Sequence, residues 1–289
     1  MQAGVESAMQ QAGLLAGSAV SNGPGHLKTL ATEALQAGHR RLAMLGGDGT
    51  ANEVLNGVCE QNAVPTQSVT LGMIGVGTGN DWLRTLGMAA KPEGAIAAMK
   101  AGQTGWHDVG VVHYGPALSQ QRYFLNVAGA GFDGDVTRRV NAWTGLGRGT
   151  KWSYWLCILQ ELFRYQHTQI KLAGGGEVME QKALTLAIGI GRYNGGGMMQ
   201  LPDAVFDDGL LDATVIGTMS KAAMVRQLPN MLDGSFTRVS SVHRFRGTTF
   251  SLDSDPGIWV EADGEMVAMT PVAFSCLSRV IRVLLPAGE

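Results

Sequence analysis

The chain has no excess of charge of either sign. Lys plus Arg is 22 and Asp plus Glu is 24, a formal charge of -2. A general nucleic-acid binder needs a clear basic surplus, so no nucleic-acid partner is expected, and small molecules or a membrane surface are. Cysteine is scarce: Cys59, Cys157 and Cys276 form no CxxC or Cys/His spacing for zinc, and an odd, scattered set is a poor disulfide framework. Neutral thiols in a reducing compartment are expected. No apolar run approaches the roughly 20 residues that span a bilayer. The opening residues also lack the charged start and apolar core of a secretory signal. The expectation is a cytoplasmic protein that meets a membrane, if at all, from its inner face. GxxxxGK[ST] does not occur, which excludes a P-loop.

What is present suits a folded chain: 45% hydrophobic and 16% charged residues over 289 positions, enough for one large domain or two modest ones. Val5, Met9 and Leu14 suggest a helical face, Gly17 to Val20 a short strand, and residues 26–37 a helix closed by Gly38. Arg41 to Leu45 reads as a buried strand, broken by Gly46-Gly47-Asp48-Gly49-Thr50. Ala51, Val54, Leu55 and Val58 then follow the stripe of an amphipathic helix. Leu71 to Val76 is the next strand, followed by Gly77-Thr78-Gly79-Asn80-Asp81, a short helix through Trp82, Leu83 and Leu86, and another helix from about Pro92. Strand, glycine-rich loop and helix, repeated, predict a doubly wound α/β domain.

After about residue 106 the pattern changes. Asp108 to His113, Tyr123 to Ala128, Ala183 to Gly189, Leu210 to Ile216, Thr248 to Leu252, Ile258 to Ala262 and Met266 to Ala273 read as strands parted by turns, as in an antiparallel β-sandwich. A helical insertion is expected from about Lys151 to Tyr165. Ser278 to Leu285 alternates and could return to either sheet. The expected division is 1–106 and 107–289.

Gly46 to Gly49 let the backbone turn tightly and approach a ligand, and N–H groups at the start of the next helix can cradle anionic oxygens. Asp48 beside phosphates would be repulsive without an intervening cation, which points to Mg2+. The plainer reading is a turn whose Asp and Thr cap the helix. The loop at 77–81 sits at the same junction one unit along, so both loops should meet at one sheet edge.

These residues resemble a family. Gly46-Gly47-Asp48-Gly49-Thr50 with Asn52-Glu53-Val54, then Gly77-Thr78-Gly79-Asn80-Asp81, are similar to the catalytic domain of diacylglycerol kinases and their bacterial lipid-kinase relatives. Asp108-Val109-Gly110, Phe124-Leu125-Asn126, Asp208-Gly209-Leu210-Leu211-Asp212 and Asp263-Gly264-Glu265 continue the likeness. The resemblance implies an ATP-binding α/β domain, a β-sandwich, and an active site in the cleft between them. It implies ATP phosphates against Gly47, Asp48, Gly49, Thr50, Ala51, Asn52 and Glu53, with Asp48 acting through Mg2+. Thr78 and, more loosely, Ser21 would touch the nucleotide, and Asp108 would join the metal-linked network. It puts the catalytic base at Glu265, with Asp263 second; read alone, Asp263-Gly264 is a hairpin turn. It implies a second, structural Mg2+ on Asp208 and the carbonyls of Val205 and Leu210, where the residues alone allow a plain Asp-Gly turn.

The family pattern also opens with a strand and an Asn-Pro turn, so the resemblance implies that the first strand is missing from this sequence. Gly129-Ala130-Gly131-Phe132-Asp133-Gly134 fits GxGxxG, but no βαβ unit or strand-end acid follows it. Arg138 to Trp155 mixes basic and aromatic residues that could rest on lipid headgroups, or form a partly buried helix with a charged rim. The expected activity is transfer of the ATP γ-phosphoryl to a lipid hydroxyl. An NAD kinase-like enzyme and a non-catalytic nucleotide or lipid binder are the alternatives. A homodimer is compatible with the sequence.

Overall fold

The computed structural model describes residues 2–15, 17–76, 79–88, 91–144, 160 and 164–286. Helix α1 (Gln2–Gln11) precedes α2 (His26–Gln36), β1 (Arg41–Gly46), α3 (Asp48–Glu60), β2 (Thr70–Gly75), the short α4 (Asp81–Thr85) and α5 (Pro92–Ala101). Next come β3 (Thr104–Tyr114), β4 (Gln120–Phe124), β5 (Val127–Gly131), α6 (Phe132–Thr144), β6 (Thr168–Gly174), β7 (Glu177–Gly189), β8 (Leu211–Gly217) and α7 (Lys221–Gln227). Strands β9 (Val242–Gly247), β10 (Thr249–Asp255), β11 (Trp259–Ala262), β12 (Glu265–Met269) and β13 (Val272–Leu284) complete the chain.

The two halves of the pattern fold as their periodicities require. Strand β2 is buried at every position, as a parallel strand covered on both faces must be, and pairs in parallel with β1. In β10 buried Phe250 and Leu252 alternate with exposed residues, as in a half-solvated antiparallel strand. Leu35, Val54, Leu55, Val58, Leu71 and Trp82 fill the first core, and Phe124, Leu186, Val215, Phe250, Val260 and Phe274 fill the second. No helix among the described residues is long and apolar enough to cross a membrane. Burial pushes the thiols of Cys59 and Cys276 up to about 12, which keeps both neutral; Cys157 lies outside the described residues.

All strands among the described residues belong to one 13-stranded hydrogen-bonded sheet, and β13 makes it continuous. Its first half pairs with β10 and the distal part of β3; after an irregularity between Leu277 and Ile281 it pairs with Thr104 to His107 and lies parallel to β2. The closing segment therefore serves both sheets. Strands β3 and β13 pass through the α/β part and the sandwich alike.

Several expectations change. Gly17 to Val20 is exposed and forms no strand; β1 pairs only with β2 among the described residues, so nothing there offers Gly17 to Val20 a ladder. Tyr123 to Ala128 is two strands, because the N–H groups of Leu125, Asn126 and Val127 turn toward the Asp263 carboxylate. Met266 to Ala273 is likewise split between β12 and β13 at Thr270-Pro271; Pro271 has no N–H to give a ladder. Strand β6 and helix α6 were not anticipated, and most of the expected insertion at 151–165 lies outside the described residues. In the GxGxxG stretch, β5 has only antiparallel partners. Its glycines make room: a Cβ at Gly129 would stand 2.6 Å from Glu261 Oε1, and one at Gly134 2.3 Å from the Trp259 carbonyl.

Helices α2 and α3 touch at Gly57, where a Cβ would stand 2.5 Å from the Lys28 carbonyl oxygen. Propensity alone makes Gly57→Ala stabilising by about 1 kcal/mol. The overlap should reverse that sign, for a net loss of about 1–3 kcal/mol. Thermal unfolding of the variant checks this, and a raised Tm would mean the helices separate freely.

Candidate active site

Helix α3 begins at Asp48 with no side-chain cap, so the first N–H groups of the helix are left for another partner. The Asp48 carboxylate points across to the second loop. Its Oδ2 accepts the Asp81 N–H at 3.1 Å and its Oδ1 the Trp82 N–H at 3.0 Å. Asp48 thus caps α4 and not its own helix, and clamps the two glycine-rich turns together. Gly47 keeps open space above it, its nearest neighbour being Asn80 Oδ1 at 4.0 Å from a Cβ. Thr78 and Gly77 lie outside the described residues.

Asp81 continues the chain of contacts. Its carboxylate takes Arg84 Nη1 at 2.6 Å and the Gly196 N–H at 2.7 Å. Burial and the neighbouring Asp48 push it up to about 6. Through Gly196 the sandwich is tied to the glycine-rich loops of the α/β part.

The Asp263-Gly264 pair connects β11 to β12 as a tight hairpin with φ of 49° and 84°, the conformation that this dipeptide favours. Asp263 has its carboxylate turned inward. Oδ2 accepts from Leu125 N–H at 2.7 Å and Asn52 Nδ2 at 3.0 Å, and Oδ1 from Asn126 N–H at 3.0 Å and Val127 N–H at 3.3 Å. Glu265 is different. No backbone N–H among the described residues donates to it, it faces solvent, and its Oε1 lies 3.3 Å from a Cβ built on Gly49. Partial burial raises it, Arg122 lowers it and Glu53 raises it.

The other expected residues divide between cleft and framework. Ala51 is in the core, and Thr50 packs on Gly46. Asn52 is fully buried and wedges α3 against the sandwich, donating to the Tyr123 carbonyl and accepting from Arg122 Nη2 at 2.5 Å. Glu53 accepts the N–H groups of Gly25 and Leu27 at the start of α2. This anchors the turn in which Ser21 Oγ donates to the Gly23 carbonyl. Asp108 is fully buried, and its oxygens accept the N–H groups of Gly209 at 2.6 Å and Arg279 at 2.7 Å. It secures the irregularity in β13. Asp208 accepts the Leu210 N–H and pairs with Arg246, which also reaches Asp212; Val205 is exposed beside it.

Sequence reasoning missed Arg122 and Glu261, and quoted Asn126 in the family likeness without giving it a role. Arg122 has no motif, only a place on a strand facing Asn52. Asn126 accepts from Thr85 Oγ1 and donates to the Tyr193 carbonyl, joining three segments that sequence distance separates. Glu261 was hidden inside a strand-like run.

A cation at Asp48 fits the donor set. Each carboxylate oxygen accepts one N–H and keeps a lone pair, and Mg2+ in nucleotide sites takes one or two carboxylates with phosphate and water. No group of three or more His, Cys, Asp or Glu able to hold a metal occurs among the described residues. At Asp208 the guanidinium of Arg246 already supplies positive charge, and a metal with Val205, Asp208 and Leu210 rests on the resemblance alone.

Two glycine-rich turns clamped at one sheet edge, and a hairpin of the sandwich facing them, are the plan of the two-part α/β and β-sandwich kinases. Residues 2–112 match the diacylglycerol kinase catalytic domain, and residues 126–285 the YegS C-terminal NAD kinase beta sandwich-like domain. The chain belongs to the diacylglycerol kinase family of lipid kinases. It is 30% identical over 264 residues to a diacylglycerol kinase of Mycobacterium tuberculosis, covering 89% of this chain and 80% of that one. It is 31% identical over 266 residues to a Pseudomonas aeruginosa protein named "Probable lipid kinase YegS-like", covering 92% and 83%. A diacylglycerol kinase structure from Bacillus anthracis shares the fold at a TM-score of 0.69 and 20% identity, over 92% of this chain and 83% of that one.

Glu261 is 1% exposed, and burial, with nearby Asp133 and Asp263, raises it from 4.5 to about 8. Between those values the folded protein holds a proton that the unfolded chain has released, so this group's contribution falls as pH rises through the window. Glu261→Gln should flatten the dependence of Tm on pH between 4.5 and about 8. An unchanged slope would mean that Glu261 is ionised in the fold.

Proposed function

We propose that this protein transfers the γ-phosphoryl group of ATP to a hydroxyl of a lipid, with Glu265 as the proton acceptor. The observation that carries the reading is the clamp of Asp48 on Asp81 and Trp82, with Glu265 held over Gly49 on the opposite wall. It brings together an uncapped helix start and a carboxylate to which no backbone N–H among the described residues donates.

The N–H groups of α3 and its dipole favour the nucleotide phosphates. Mg2+ bound at Asp48 would offset phosphate charge during transfer. Glu265 takes the proton of the acceptor hydroxyl as that oxygen bonds to the γ-phosphorus and the bond to the bridging oxygen of ADP breaks. Partial burial, by raising Glu265, suits it to this work near neutral pH. Asp263 holds the hairpin and keeps the turn aligned, since its oxygens are engaged by the chain break at Leu125 to Val127. Asp108 acts here by securing the junction of β3 and β13, and Asn52 and Glu53 by holding α3 to its neighbours. The α/β part binds nucleotide and the sandwich binds lipid, at the inner face of a membrane. The relative named diacylglycerol kinase makes diacylglycerol the first acceptor to test.

Labelled ATP with a panel of lipids and NAD tests the assignment. Label in a lipid supports it, label in NAD favours the NAD kinase-like reading, and ATP binding without transfer favours a binder. Glu265→Gln should lower kcat by about a hundredfold or more while leaving the KM for ATP near that of the parent. Asp48→Asn should cost about a hundredfold, because an amide cannot accept both N–H groups of α4 and keep its charge. Full turnover in either variant would remove that residue from the mechanism.

A further inference from the structure

Carboxylates crowd the start of α3. Asp48 begins the helix, Glu53 lies in its second turn, Asp263 is bonded to Asn52, and Glu265 stands across from Gly49. A cation reaches in from β4, a strand packed on α3: Arg122 donates from Nη2 to Asn52 Oδ1 at 2.5 Å.

The amide that receives Arg122 cannot swing. Asn52 Nδ2 donates to the Tyr123 carbonyl and to Asp263 Oδ2, each at 3.0 Å, and Oδ1 also takes Asn56 Nδ2 at 3.2 Å. Gly49 and Asn52 stand at i and i+3 of α3 and share a face of the helix. Glu265 over Gly49 and Arg122 on Asn52 are therefore neighbours along that face.

The two groups nonetheless stand apart, since no hydrogen bond or ion pair joins them, and Arg122 Nε is buried without a hydrogen-bond partner. An orphan donor is costly to bury, and a guanidinium cannot shed its proton to escape the cost. Packing alone does not account for Arg122. Its charge acts across the gap: burial raises Glu265, Arg122 lowers it, and Glu53 raises it. Other charged groups nearby are engaged elsewhere. Asp48 takes the N–H groups of α4, Glu53 those of Gly25 and Leu27, Asp263 those of Leu125 to Val127, and Glu261 that of Gly264. On β3 and α6, which also pack on β12, Asp108, His113, Asp133 and Asp135 are bonded to Gly209, Ser275, Gln200 and Arg138.

We propose that Arg122 is the positioning residue for Glu265: a fixed cation, standing off from the carboxylate on one face of α3, that keeps it ionised when nucleotide phosphates bring their charge into the cleft. The inference rests on the assignment of Glu265 as the base. Standing off matters. A bidentate pair would occupy the oxygens that must take the hydroxyl proton, whereas a charge at a distance supports the anion and leaves its lone pairs free.

The test sets Arg122→Gln, which keeps a donor for Asn52 and removes the charge, beside Arg122→Lys, which keeps the charge. Without the cation Glu265 protonates more readily, so the deficit belongs to low pH. With dioleoylglycerol as acceptor, kcat/KM of Arg122→Gln should fall about tenfold on the acid limb of the pH profile. The loss should shrink as pH rises, with the KM for ATP near that of the parent, and Arg122→Lys should keep the parent's acid limb. A uniform loss across pH, a raised KM for ATP with an unmoved limb, or a displaced limb in Arg122→Lys overturns the proposal. NMR titration of carboxyl-labelled glutamate, with Glu265 assigned by its loss in Glu265→Gln, reads the same coupling without turnover. The Glu265 midpoint should lie higher in Arg122→Gln than in the parent, and equal midpoints overturn the proposal. A higher midpoint in a protein that phosphorylates no lipid supports the coupling and removes only the kinase reading.

Discussion

A carboxylate whose two oxygens accept the N–H groups of a helix start contributes both hydrogen bonds and charge against the helix dipole. Asp48 makes that contact with Asp81 and Trp82, and the cleft depends on it. The two glycine-rich turns end parallel strands that are themselves paired from Arg41–Thr70 to Gly46–Gly75. Strand pairing sets their heights; the Asp48 clamp sets their separation. Because Asp81 passes the link to Gly196, the α/β part and the sandwich share one chain of charge-assisted bonds.

The same device recurs across the molecule. Glu53 caps α2, Asp108 takes the N–H groups of Gly209 and Arg279, Asp263 gathers the break between β4 and β5, and Glu261 holds Gly264. A fold that joins a parallel unit to an antiparallel one must interrupt ladders at the seam, and each interruption leaves N–H groups that cannot be buried alone. Acidic side chains answer them. Glu265 differs from these in facing solvent across from Gly49, with no backbone N–H among the described residues donating to it.

The α/β half was legible because its signals are local: a buried strand, glycines, then an amphipathic stripe recur within thirty residues. The helix end at Gly38 was marked by a glycine with φ of 97°. The sandwich was legible as a set of strands but not in its breaks. Tyr123 to Ala128 has a continuous strand composition, and the force that splits it comes from Asp263, some 135 residues away in the chain. Strand β6 ends in Gly174, and a Cβ there would stand 2.2 Å from the Phe250 ring; only the neighbouring strand β10 explains that residue. The motif residues of the site were visible, but their division into cleft and framework was not. Asn52 lies in a helix and Asp263 in a turn 211 residues on, and their pairing at 3.0 Å is a tertiary fact.

The buried end of the sandwich follows the opposite rule from the seam. At the seam each carboxylate is matched by N–H groups and its charge is supported. Around Glu261 and Asp133 the matching is thin, and burial raises both, Asp133 to about 6. Packing alone would be better served by apolar side chains at these positions, so their presence favours a role that apolar residues cannot fill. Gly129, kept bare beneath Glu261 and Asp133, shows that the backbone is shaped around the pair. Glu261 also fixes Gly264, so the charge it carries bears on the two-residue turn that leads into Glu265. The buried acidic pair and the exposed Glu265 are therefore joined through one short hairpin.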